Sequence, residues 1–118
     1  MKKDEYIFIK HILESINKIE KYAKNLKKEK LIQDTKIQDA IIRRIEIIGE
    51  AVKNLPDNLR NKYPHIEWNA IIRARDKIIH HYFGIDLNII WDIIKKDLPD
   101  LKRKIAKIEK DLRNKQGT

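Results

Sequence analysis

From Asp4 to about Lys28, the residues Tyr6, Ile9, Ile12, Leu13, Ile16, Ile19, Ala23 and Leu26 recur at intervals of three and four. That spacing predicts one helix with a single buried stripe. Lysines fill most of the remaining positions and form its wet face. Asp34 or Thr35 can cap a second helix, because a short oxygen-bearing side chain accepts from the backbone N–H groups that a helix start leaves unpaired. Ile37, Ile41, Ile45, Ile48 and Val52 carry its stripe until Pro56, and this helix is expected to pack antiparallel to the first. Leu55 to Pro64, with two prolines and two asparagines, reads as the longest connection inside one domain.

A third helix is predicted from about Ile66 to Phe83, with Gly84 placed to end it because glycine accepts left-handed backbone geometry. Asp86 can cap a short fourth helix carrying Leu87, Ile90, Trp91 and Ile94. Pro99 suits the first turn of a fifth, which continues the pattern with Leu101, Ile105, Ile108 and Leu112. The fold class is therefore all-α, an up-and-down bundle of four to five helices. Residues 1–113 form its single domain and 114–118 a flexible tail.

Composition narrows the classes of function. The 118 residues carry 27 Lys and Arg against 18 Asp and Glu, a net charge of +9, so polyanions are natural partners. Residues 102–118 alone hold seven basic and two acidic side chains. The absence of cysteine removes disulfides, thiol nucleophiles and thiolate zinc sites, and a cytoplasmic setting is expected. No apolar run approaches the roughly 20 residues that span a bilayer, and no export signal is read at the N-terminus. His11 and His65 lie on other segments from His80 and His81, so no metal-ligand spacing stands out, and neither metal nor cofactor is expected.

One position breaks the helical pattern. On an ideal helix Trp68, Ile71, Ile72, Ile78, Ile79 and Tyr82 all fall within roughly 60° of Arg75, so a permanent cation stands where the period calls for an aliphatic residue. A carboxylate, a bound anion or an opening to water must receive it. The structural reading pairs Arg75 with Glu46 or Glu50 on the neighbouring helix, or turns it into an oligomer interface. The functional reading notes that His80, His81 and Tyr82 follow within seven residues, gathering groups that titrate near neutrality or bind phosphate. Five residues rotate His80 about 140° from Arg75, whereas Asp76 and His80 form an i, i+4 pair.

The segment Arg75-Asp76-Lys77-Ile78-Ile79-His80-His81-Tyr82 matches the R-x4-H-x-Y signature of the HEPN superfamily in the form seen in HepT-type toxins. Gly49-Glu50-Ala51, Tyr63-Pro64 and Trp68 before it, and Gly84-Ile85-Asp86 with Trp91 after it, also resemble the family. One departure is Arg73-Ala74, where relatives often carry a glycine. The resemblance runs from about Ile41 to Ile108 and implies a HEPN-type bundle acting as a metal-independent ribonuclease toxin. It also implies a homodimer whose two motifs line one cleft. A partner MNT-type nucleotidyltransferase would serve as antitoxin and add AMP to Tyr82.

The residues suit that chemistry. RNA supplies its own nucleophile in the 2′-hydroxyl, so only proton transfer and charge stabilisation are needed. His80 is cast as general base or acid, Arg75 as the phosphate clamp and Asp76 as a candidate orienter of His80. One imidazole supplies an acid or a base at one time; a second protomer or His81 could supply the other. A competing reading keeps the fold without catalysis, as a helical nucleotide- or partner-binding subunit of a nucleotidyltransferase complex. A DNA-binding helix-turn-helix fits poorly, because the would-be recognition helix opens with Leu87-Asn88-Ile89-Ile90-Trp91.

Overall fold

The computed structural model describes residues 3–80 and 84–116, with side chains over residues 5–79 and 84–115. Helix α1 (Lys3–Tyr22) buries Ile9, Ile12, Ile16 and Ile19 completely, and Asn25, at φ +60°, turns the chain after it. Asparagine is among the few residues with a side chain that tolerate this left-handed geometry. Each fully buried isoleucine contributes roughly 1.5–3 kcal/mol relative to an exposed one, so this stripe alone anchors the helix.

A short helix α2 (Lys28–Gln33) precedes α3 (Thr35–Asn54), which begins where the sequence pattern placed it. Asp34 joins the two: its N–H bonds to the Lys30 carbonyl and closes α2, while its side chain accepts from the Ile37 N–H at 3.2 Å and opens α3. Gln38 then donates to the carbonyls of Leu31 and Ile32, satisfying acceptors that the end of α2 leaves open. The segment read as one long loop holds a further short helix, α4 (Asp57–Lys62). It packs by Leu59 and is closed by Trp68, whose indole N–H donates to the carbonyls of Arg60 and Tyr63 at 3.1 Å each.

Helix α5 spans Trp68–His80; positions 81–83, including His81 and Tyr82, lie outside the described residues. Gly84 has φ +154°, a positive value that favours glycine, and Asp86 caps α6 (Leu87–Asp92) by accepting from the Asn88 N–H at 2.9 Å.

Pro99 falls in the first turn of the last helix, as the pattern expects, but no break separates that helix from the one before it. From Leu87 to Gln116 the helix is continuous: α6 passes through five π-helical residues, Ile93–Asp97, into α7 (Leu98–Gln116). Proline has no N–H to give the residue four back, and its ring crowds that carbonyl. The strain is absorbed one position earlier, where the Leu98 N–H reaches five residues back to the Ile93 carbonyl. At about 1.5 Å per residue this rod runs ~45 Å, close to the 49 Å long axis of the molecule.

Tyr6 donates to Glu109 at 3.0 Å near one end of α1 and Lys102 to Glu20 at 2.6 Å near the other, so α1 and α7 are antiparallel. Helix α1 also packs on α3, and α3 on α5. Across this all-α bundle Ile41, Ile48, Val52, Ile90, Ile105 and Ile108 complete the isoleucine-rich core. No strand occurs among the described residues, and none of their helices is long and apolar enough to cross a membrane. The basic run on α7 is partly neutralised, with Lys102, Arg103, Lys104 and Arg113 each within 4 Å of a carboxylate.

Candidate functional site

Helix α5 sets Arg75 on the face it turns to α3, between half-buried Ile71 and Ile72 and buried Ile78. The guanidinium is only 20% exposed. It fits because position 49 of α3 is glycine: a Cβ there would lie 2.3 Å from Cβ, 2.4 Å from Cγ and 3.2 Å from Cδ of Arg75. An interior helical glycine costs about 1 kcal/mol relative to alanine, which is offset here by the close approach of two helices.

Of the two partners left open by the sequence, Glu50 takes the arginine. Its Oε2 lies 2.8 Å from Nη2, while Oδ1 of Asp76 lies 2.8 Å from Nη1. Glu46 instead faces Arg43 at 3.7 Å. Two carboxylates thus hold one guanidinium, and both are about half exposed, at 53% and 46%. The buried Nε of Arg75 has no hydrogen-bond partner. Each terminal nitrogen carries two hydrogens and commits one to a carboxylate, which leaves a fork that a phosphate oxygen could approach. Asn54, one turn beyond Glu50, donates to the Glu50 carbonyl at 2.9 Å.

An open groove of about 400 Å³ runs along this face, lined by Phe8 and His11 of α1, by Arg43, Glu46, Glu50 and Asn54 of α3, and by Arg75. His11, set apart by the sequence reading because it lies on another segment, is exposed and borders the same groove as the arginine. Nothing in a one-dimensional pattern pairs α1 with α5. The helical glycine at 49 was the available signal for the close approach of α3. A second cavity, about 530 Å³, lies between α3, α5, the π segment and α7, and Arg75 and Asp76 are not among its lining residues.

His80 is the last described residue of α5, but its side chain and all of Tyr82 lie outside the described residues. The backbone therefore puts Arg75, Asp76 and His80 on one helix, and the side-chain contacts bring Arg75 and Asp76 together with Glu50. Among the described residues no group of three or more His, Asp or Glu side chains is placed to hold a metal ion.

The family described as Ribonuclease HepT-like matches this chain over residues 12–108. A gamma-glutamylcyclotransferase and putative RNase of Methanocaldococcus jannaschii is 50% identical over 112 residues, which are 95% of this chain and 50% of that protein. A putative RNase of the same organism is 45% identical over 111 residues, 94% of this chain and 92% of the relative. A probable ribonuclease HepT of Thermococcus cleftensis is 41% identical over 110 residues, 93% of this chain and 100% of the relative. The chain thus spans half the length of the first relative and more than nine-tenths of the other two. No solved structure matches it. With most of its length inside the match, the chain belongs to the ribonuclease HepT-like family.

Proposed function

We propose that the chain is a metal-independent endoribonuclease, the toxin of a HEPN/MNT toxin–antitoxin pair, acting in the cytoplasm on RNA such as tRNA. The observation that carries this reading is the arginine on the apolar face of α5, held with its fork at an open groove and five residues from His80. Arg75 grips the scissile phosphate and counters the charge that builds on it. His80 moves the proton, and Asp76, an i, i+4 neighbour of His80, supports the pair. The names of the relatives, RNase and ribonuclease HepT, support the reaction class.

A homodimer brings two such helices to one cleft. The partner nucleotidyltransferase adds AMP to Tyr82, two helical turns beyond Arg75, and the new phosphodiester occupies the place of the RNA phosphate. Tyr82→Phe is then active and insensitive to that partner.

One observation favours a second reading. Arg75 is already paired with Glu50 and Asp76, as it would be in a helical binding subunit without catalysis.

Incubating the protein with total tRNA in EDTA separates the two. The nuclease leaves 2′,3′-cyclic phosphate ends, and both Arg75→Ala and His80→Ala lose the activity by roughly 100-fold or more. Wild-type protein that cuts no faster than these variants overturns the nuclease in favour of the binding subunit.

A further inference from the structure

Arg75 has one carboxylate more than its charge requires. Asp76, its neighbour in sequence, already supplies a counter-ion at 2.8 Å, yet α3 brings Glu50 to the other terminal nitrogen at the same distance. Crowding two anions around one cation costs repulsion, and a structural pair would need only one. The arrangement is also specific to Glu50: Glu46, one turn earlier on α3, pairs with Arg43 instead. Glu50 keeps more than half of its side chain open to solvent and lines the groove with His11 and Phe8. Departures from what stability asks are expected where chemistry is done.

Resting on the ribonuclease reading above, we infer that Glu50 is the general base of RNA cleavage, which makes His80 the general acid. A phosphate oxygen on the fork of Arg75 puts the adjacent ribose within reach of a carboxylate bonded to that same fork. Glu50 takes the proton of the 2′-hydroxyl as the 2′-oxygen bonds to phosphorus. The bond from phosphorus to the 5′-oxygen breaks, and the leaving oxygen takes a proton from the imidazolium of His80. The products are a 2′,3′-cyclic phosphate and a 5′-hydroxyl. Glu50 ends protonated and His80 neutral, and water returns the proton from one to the other. The base then stands on α3 and the acid on α5, so each cleavage needs one imidazole, whichever protomer supplies it.

The test uses an oligoribonucleotide carrying a cut site mapped in the tRNA digest, and its analogue with sulfur in place of the bridging 5′-oxygen. A thiolate leaves without a proton, so the sulfur substrate relieves the loss of an acid and not of a base. Glu50→Gln is expected to cut the oxygen substrate roughly 100-fold or more slowly. Its RNA affinity is expected to be equal or tighter, since an anion beside Arg75 has gone. His80→Ala recovers most of its rate on the sulfur substrate and Glu50→Gln does not. Glu50→Asp, which keeps the carboxylate, retains more activity than Glu50→Gln and guards against a folding artefact in the amide.

Glu50→Gln cutting within threefold of wild type overturns the assignment, as does equal rescue of both variants by sulfur, or a loss that appears only in RNA affinity. Those results leave the nuclease standing whenever wild type yields cyclic phosphate ends. Wild type that does not cut removes both.

Discussion

Gly49 and Arg75 occupy each other's space: a side chain begun at Gly49 would start 2.3 Å from the Cβ of Arg75. Because the collision is with the root of the arginine, rotating the guanidinium away cannot relieve it, and α5 itself must shift. Gly49→Ala gains about 1 kcal/mol of helix propensity and loses about 1–3 kcal/mol to overpacking. The expected net is a Tm several degrees lower by calorimetry, with slower RNA cleavage as the fork moves off its phosphate. Arg75→Ala should fail to restore Tm in that background, and Arg75→Gly should restore part of it.

Arg75→Lys tests whether the fork matters beyond its charge. Lysine offers a single ammonium that cannot bond Glu50 and Asp76 from two separate nitrogens as Nη2 and Nη1 do. Cleavage of tRNA is expected to fall by roughly 10-fold or more, while the salt dependence of RNA binding stays close to that of wild type. Equal rates for the two proteins would remove the bidentate clamp from the mechanism.

Asp34 carries a pH-dependent share of stability. The Ile37 N–H, aided by Lys30, holds its carboxyl below the usual carboxylate range. A lowered folded-state value means the contribution is present above the unfolded value and is lost as pH falls through the folded one. Asp34→Ala is therefore expected to lower Tm at pH 7, with the gap to wild type narrowing below about pH 3. Asp34→Asn keeps the capping oxygen and should lie between the two at pH 7.

Asp97, the last π-helical residue, has the opposite sign. Desolvation pushes its carboxyl up, and Asp92 adds repulsion. Stability from this group is full at low pH and is lost as pH rises through the raised value. Asp97→Asn is expected to raise Tm at pH 7 by about 1 °C, small because the residue is exposed, with no gain near pH 3.

How far the fold could be read in advance depended on how local its causes are. The stripes of α1, α3 and α7 repeat over many turns, and the caps Asp34 and Asp86 act within three residues, so all were visible in order along the chain. Helices α2 and α4 were not, because each is six residues long and buries a single leucine, Leu31 or Leu59, too little to make a period. Pro99 stands in a first turn as its sequence suggests, but the unbroken rod behind it was not visible, because a proline at a fresh helix start and one behind a π turn look alike locally; only the Leu98 N–H reaching Ile93 separates them. At the site, the misplaced Arg75 was evident from its own helix, while the choice of Glu50 over Glu46 and the arrival of His11 depend on how helices dock.

The widened turn at Ile93–Asp97 also fixes a phase along the longest rod. Ile90, Ile94 and Leu98 are all buried, yet two steps of four residues on an ideal α-helix would swing Leu98 roughly 80° away from Ile90. The loose turn returns it to the inner side. Losing one residue here would turn the wide turn into an ordinary α turn, and the seven-residue spacing left between Ile90 and Leu98, about 700°, would keep both within roughly 20° of one inner face. The stretch is therefore a place where the rod can lose one residue without turning its core face to water.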